Sequence, residues 1–374
     1  MAKGDDVFDV AVCGAGPAGS FAAALLAKQH HRVALIEAKR LPRSSAACVW
    51  LGAKLAPLME EIGVKLKKAG ARTFTDVVFH SGDFTKRAIP HFSEPAGYLV
   101  NGGELYTTLA NAAVKAGAEL FEGSPVTKVR LSESRVTLSK ADDGTVESKL
   151  LLLASGQGTP LVQQCGFREA SLGSVLWSAR VDAAAGDPKL KPKIGVHVIL
   201  GLDRRGSFGT ICRLADRLSI SIHWSGEREQ ATSAFINLCK LSLEHGLIDV
   251  DLTRPAATAP MIGSPAAAAL ELDSHVGKHS LLIGDAGGFV SAASNEGVYP
   301  AMWSAKIATQ VVREALESTY SQDVLMSYDS KWRIELADHL RSPNTDTQFL
   351  LPLIFSNQAM ADRMGTAFFN GANI

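Results

Sequence analysis

Two glycine-centred strand ends, near opposite ends of the chain, constrain its fold more than any other feature. Val10-Ala11-Val12-Cys13 is an apolar run leading into Gly14-Ala15-Gly16-Pro17-Ala18-Gly19, a G-x-G-x-x-G pattern. Leu281-Leu282-Ile283 is a second apolar run, and it ends on Gly284-Asp285-Ala286-Gly287-Gly288. A buried strand that breaks on glycine and opens a helix presents free backbone N–H groups to a phosphate. The first pattern predicts a bound dinucleotide. With an acid closing the second strand, the pair predicts FAD, held by a domain whose pieces are far apart in sequence.

The intervening chain supports a Rossmann-like reading. Val7–Val12 reads as a strand, Ala18–Lys28 as a helix and His31–Ile36 as a second strand, closed by Glu37. This β-α-β unit has the length that a mononucleotide-binding half requires. Gly14 allows the tight turn, Gly16 clears space for a pyrophosphate, and Gly19 lets the helix approach the sheet. Pro17 and Ala18 open that helix. Glu37, with Ala38 beside it, is placed to bind the adenosine ribose. A helix over Leu105–Ala116 follows, then Glu119–Phe121, Val126–Leu131, Arg135–Ser139 and Leu150–Ala154 as strands, the middle ones a β-meander. Ser280–Ile283 is the last strand, followed by a helix over about Gly297–Leu316.

Two regions carry a different pattern. Val77–Phe79 and Thr85–Ile89 flank a Ser81-Gly82-Asp83 turn, and Val175 to Trp224 reads as antiparallel sheet. Leu218 to Ser225 alternates strictly, Leu, Ile, Ile and Trp on one face and Ser, Ser, His and Ser on the other. A sheet packed on one face and polar on the other suits a domain that covers a substrate. Phe208–Arg213 reads as its neighbour, and Arg213 and His223 are the titratable side chains aimed at the substrate side. Glu227–Leu243 reads as helix, Pro255–Pro265 as a return linker, and the last thirty or so residues as helical packing. The expected fold class is therefore α/β, with a discontinuous Rossmann-like FAD domain (1–75, 98–165 and 266–330). An antiparallel-sheet substrate domain (76–97 and 166–265) and a helical C-terminal region (331–374) complete it.

Composition excludes several function classes. Lys plus Arg and Asp plus Glu both total 38 among 374 residues, so no net field favours nucleic acid. Five scattered cysteines without C-x-x-C spacing argue against a disulfide framework or a zinc site, and no metal cluster stands out. The polar start and the lack of a long apolar run argue against a signal peptide or membrane span. A cytoplasmic protein is expected, with peripheral membrane contact left open.

At these motifs the chain resembles the p-hydroxybenzoate-hydroxylase-like FAD superfamily, near its geranylgeranyl-reductase-like and halogenase-like branches. Gly14-x-Gly16-x-x-Gly19 with Glu37 matches the first fingerprint, and Gly284-Asp285-Ala286 with Glu296-Gly297-Val298 matches the last. Leu153-Ala154-Ser155-Gly156 stands at the middle one, with Ser155 and Gly156 implied as cofactor contacts. The resemblance implies that Asp285 binds the ribityl chain and that N–H groups near Gly297 face the electron-poor end of the flavin ring. Gly102 and Tyr106 stand where relatives carry Arg and Asp, Leu153 replaces an acid, and Ser291–Ser294 lacks a customary proline.

FAD chemistry then divides into monooxygenation of an apolar or aromatic substrate, C=C reduction of a hydrophobic one, halogenation, or modification of a partner protein. A flavin-binding interaction protein without turnover is a further alternative. Halogenation is disfavoured because no W-x-W-x-I-P motif is present, and Lys54 and Lys86 lack context. Arg43 is a candidate cofactor or pocket contact, and Cys48 a candidate flavin-side thiol of the reductase kind. No second complete dinucleotide motif appears, so NAD(P)H would bind transiently or a separate reductase would supply electrons.

Overall fold

The computed structural model describes residues 7–42, 47–168, 176–184, 195–203, 206–214, 217–319, 321–341 and 347–371. Arg43, Val175 and residues 215–216 lie outside them. The eight-stranded first sheet is built around Val7–Cys13. This strand runs parallel to Thr145–Leu153 on one side and to Val33–Ile36 on the other, with Cys13 opposite both Leu153 and Ile36. Glu119–Phe121 and Ser280–Leu282 extend the parallel array outward. Val126–Leu131 and Val136–Lys140 add the antiparallel meander. The central parallel strands are apolar where they run side by side because both of their faces are buried there.

Helix Pro17–Lys28 starts with proline at its first turn, where a missing N–H costs nothing, and five alanines keep it slim. It packs with Gly102–Ala116 and Val298–Glu317 in the largest apolar core, around Phe21, Leu35, Leu105, Met302 and Trp332. Asn101 caps the middle helix by accepting from Gly103 N–H (2.9 Å) and Glu104 N–H (3.2 Å).

The second sheet has seven strands in the spatial order Ile262–Ser264, Leu176–Ala184, Arg217–Ser225, Phe208–Leu214, Val196–Leu200, Val77–Ser81 and Arg87–Ala88. Its alternation divides it as expected. Leu218, Ile220 and Ile222 pack with Phe235 and Leu238 of helix Arg228–Glu244. The polar residues between them turn the other way. A three-stranded sheet, Cys48–Gly52, Gly97–Asn101 and Arg72–Phe74, lies between the two larger sheets in sequence and was not anticipated. The C-terminal helix Gln358–Asn370 brings Phe368 and Phe369 onto Trp50, ring centroids 5.7 and 4.9 Å away.

The expected α/β class holds, and most elements begin and end within a few residues of their sequence limits. Two expectations change. The return linker contains helix Thr253–Thr258 and edge strand Ile262–Ser264, because an extended neighbour, Leu176–Ser178, offers that edge a ladder. The extended run at Thr85–Ile89 forms a strand only at Arg87–Ala88, since Asp83 ties Thr85 into the turn. No helix among the described residues is long and apolar enough to cross a membrane.

Candidate functional site

A cavity of about 440 Å³ opens where the parallel strands of the first sheet end, between Val7–Cys13 and Thr145–Leu153. This is the crevice where open α/β sheets bind ligands. Gly14, Gly16, Pro17, Ala18, Glu37, Ala38, Ser155, Gly156, Gly284 and Asp285 all line it, so stretches remote in sequence converge there.

The glycines test whether a dinucleotide fits. A Cβ on Gly14 would overlap the Ala154 carbonyl oxygen, and one on Gly19 would overlap that of Gly14. Both therefore serve the protein's own packing. A Cβ on Gly16 or on Gly156 would meet nothing within 4 Å, and both residues line the cavity. Close backbone approach is thus kept open toward the crevice, as a pyrophosphate requires. Glu37 is buried and braces the loop: Oε2 accepts from Ala15 N–H (2.8 Å) and Oε1 from Lys39 N–H (2.9 Å). Beyond the sequence reading, the carboxylate thus shapes the cradle as well as lining it.

Asp285 follows Gly284, whose φ of +61° turns the chain into a short 3-10 segment. Its carboxylate is open to the cavity, yet protein encloses the cavity around it. That enclosure, with Glu296 nearby, pushes its pKa up to about 6. The helix start beyond it departs from expectation in one respect. Glu296 Oε1 accepts from Tyr299 N–H (2.7 Å), so one of the first-turn donors is already used within the protein.

A second cavity of about 380 Å³ begins on the far side of this helix start, with Glu296, Gly297 and Val298 in its wall. Asp285 and Gly297 join the two: a Cβ on Gly297 would stand 3.4 Å from Asp285 Oδ1. The opposite wall is the polar face of the second sheet, with Ser178, Arg180, Thr210, Ser221 and His223, and Cys48 and Trp50 close the side.

His223 and Cys48 are therefore brought together beside Gly297. Burial lowers the imidazole pKa to about 3, so His223 is neutral at physiological pH. Burial, reinforced by Asp182, raises the Cys48 thiol to about 12, so it keeps its proton and is no activated nucleophile. Arg213 needs a correction. Its neighbour Cys212 lines the cavity, and strand alternation turns Arg213 to the opposite face, where its Nε is buried without a hydrogen bond. Ser178, Arg180 and Asn295 were missed. Ser178 and Arg180 sit at alternate positions of a strand like His223's, a period-two signal available in the sequence. Nothing local marks Asn295. Among the described residues no cluster of three metal-ligating side chains occurs, and all five cysteines are free and buried.

Residues 8–183 match the family described as pyridine nucleotide-disulphide oxidoreductase. A digeranylgeranylglycerophospholipid reductase of Methanocaldococcus jannaschii is 23% identical over 357 residues, which cover 91% of this chain and 86% of that protein. A geranylgeranyl bacteriochlorophyll reductase-like structure from Thermoplasma acidophilum superposes with a TM-score of 0.72 at 18% identity, covering 98% of this chain and 97% of the other. A triple mutant of a flavin-dependent brominase superposes with a TM-score of 0.71 at 19% identity, covering 98% and 96%. The two structures share this fold.

Proposed function

We propose that this chain, an FAD-dependent oxidoreductase with FAD as its cofactor, is a monooxygenase of a compact aromatic or conjugated substrate. One observation carries the reading: the cavity beside Gly297 is about 380 Å³ and sets the Trp50 indole against a polar sheet face. That volume is at the small end for ligand sites and suits one or two rings. A geranylgeranyl chain is longer and wholly apolar, and a wall of Ser178, Thr210, Ser221 and His223 offers it little.

With 1–75, 98–165 and 266–330 as the FAD domain and 76–97 and 166–265 as the substrate domain, both would contribute walls to this cavity. Gly16, Pro17 and Ala18 would hold the pyrophosphate in a turn that the close packing of Gly14 and Gly19 shapes, Glu37 and Ala38 the adenosine, and Ser155, Gly156, Gly284 and Asp285 the middle of the cofactor. Glu296, Gly297 and Val298 would flank its ring. FAD supplies two-electron redox chemistry and, once reduced, activation of O₂. The chain's residues orient the substrate and exclude water. Trp50, backed by Phe368 and Phe369, shields one side, and Phe208 holds the His223 ring at a centroid distance of 4.6 Å. His223 is neutral there and can hydrogen-bond a substrate oxygen without competing charge.

Cys48 favours a second reading, reduction of a C=C bond. A protonated thiol beside the helix start could deliver the proton that saturation needs, and the archaeal relative named above is a reductase. In either case NAD(P)H or a separate reductase would supply the electrons. The experiment offers 1-naphthol and geranylgeraniol separately to holoenzyme reduced with dithionite, with ¹⁸O₂ and without oxygen. Monooxygenation predicts one ¹⁸O in the naphthol product. Saturation of geranylgeraniol under anaerobic conditions, with no labelled product, would replace the first reading by the second.

A further inference from the structure

We infer that Asn295 fixes the His223 ring with its proton on Nε2, facing the second cavity, so that the substrate group received there is an uncharged acceptor oxygen such as a carbonyl. This rests on the proposed substrate role of the cavity and adds the chemistry of one substrate group.

Asn295 stands in the loop before the Gly297 helix start with φ of +55°, a left-handed conformation that asparagine tolerates better than most residues. Its side chain crosses from the cofactor loop to the substrate face. Oδ1 accepts from the Ser264 hydroxyl. Nδ2 donates to His223 Nδ1 (2.9 Å) and to Ser178 Oγ (3.2 Å). Ser264, Ser178 and His223 stand on three neighbouring strands, with Ser178 directly opposite His223. One amide thus has both its ends engaged by partners on one sheet.

A ring nitrogen that accepts a hydrogen bond carries no proton, so in a neutral imidazole the proton is on the other nitrogen. Burial keeps this imidazole neutral, as its pKa of about 3 reflects. Among the described residues Nδ1 has the Asn295 and Ser178 partners, whereas no protein group pairs with Nε2. Phe208 packs against the ring face, which leaves the Nε2 edge for the cavity. A neutral N–H donates one hydrogen bond and accepts none, so it selects an acceptor. His223 would touch the substrate, and Asn295 is a positioning residue acting through it.

Nitrogen-15 NMR of histidine-labelled, FAD-loaded protein reads the tautomer directly. The expected result is a proton on Nε2 in the wild type and its loss or relocation in Asn295→Asp, whose carboxylate accepts from Nδ1. A wild-type proton on Nδ1 would overturn the inference. Binding to the oxidised holoenzyme, followed by flavin absorbance, supplies the second arm. His223→Leu should weaken 1,4-naphthoquinone about tenfold, the effect of one lost hydrogen bond. Naphthalene, which has no acceptor, should bind as before, and His223→Gln should restore most quinone affinity through its amide N–H. Equal losses for both probes would remove the donor role. If neither probe binds the wild type, the substrate reading of the cavity fails, while the NMR result still decides the tautomer.

Discussion

The Cα of Gly19 lies so close to the carbonyl oxygen of Gly14 that a Cβ on Gly19 would overlap it, while Gly16, between them, faces open space. The three glycines of one motif therefore answer to different partners. Gly14→Ala, which also adds a side chain at φ of +109°, and Gly19→Ala should each fail to give stable soluble protein. Gly16→Val should fold with wild-type circular dichroism and purify without flavin. A yellow, fully loaded Gly16→Val protein would show that Gly16 does not face the pyrophosphate.

Glu37 accepts from two backbone N–H groups, so its charge supports the apoprotein as well as any ligand. Glu37→Gln turns an NH₂ group toward one of those donors. A lost bond with a buried donor left unpaired costs about 1–3 kcal/mol. Denaturant unfolding of the apoprotein should show that loss, and flavin content should fall with it. Unchanged apoprotein stability would confine Glu37 to the ligand.

The pKa of Asp285, raised from 3.8 to about 6, makes a signed prediction. Between those values the folded apoprotein binds more protons than the unfolded chain, so this group's contribution to stability declines as pH rises through the window. Asp285→Asn should flatten that decline and lower FAD retention. Parallel stability profiles for the two proteins from pH 4 to pH 6 would contradict the shift.

His80 Nε2 and His197 Nδ1 lie 2.9 Å apart on paired strands of the second sheet. Burial holds both pKa values down to about 4, with Arg87 and His245 adding to the effect on His80. The unfolded chain takes up protons first as pH falls below 6.5, so the stability tied to this pair is complete above that value and is lost toward pH 4. The double variant His80→Gln/His197→Asn should unfold with a shallower acid limb in thermal scans. An unaltered limb would show that these rings are not buried as neutral groups.

Much of the crevice at the ends of the parallel strands was legible in the sequence because its signals are local. A glycine that must turn tightly, a strand of consecutive apolar residues and an acid at a strand end each reflect constraints satisfied within a few residues. The wall of the second cavity was half legible. Strict alternation from Leu218 to Ser225 correctly separated the packed side from the polar side, and it placed His223 on the cavity side. The same alternation, applied to Cys212 and Arg213, puts Arg213 on the other face. Titratability alone had suggested it as a substrate contact.

Backbone sterics and side-chain periodicity act over short stretches, so the class of fold and the crevice at the strand ends can be read from the chain alone. That Ser264, Ser178, His223 and Asn295 form one hydrogen-bonded set emerges only when the strands are assembled. Those four come from three strands and a loop, and their partnership depends on strand order and register. The long-range packing of the whole chain selects both.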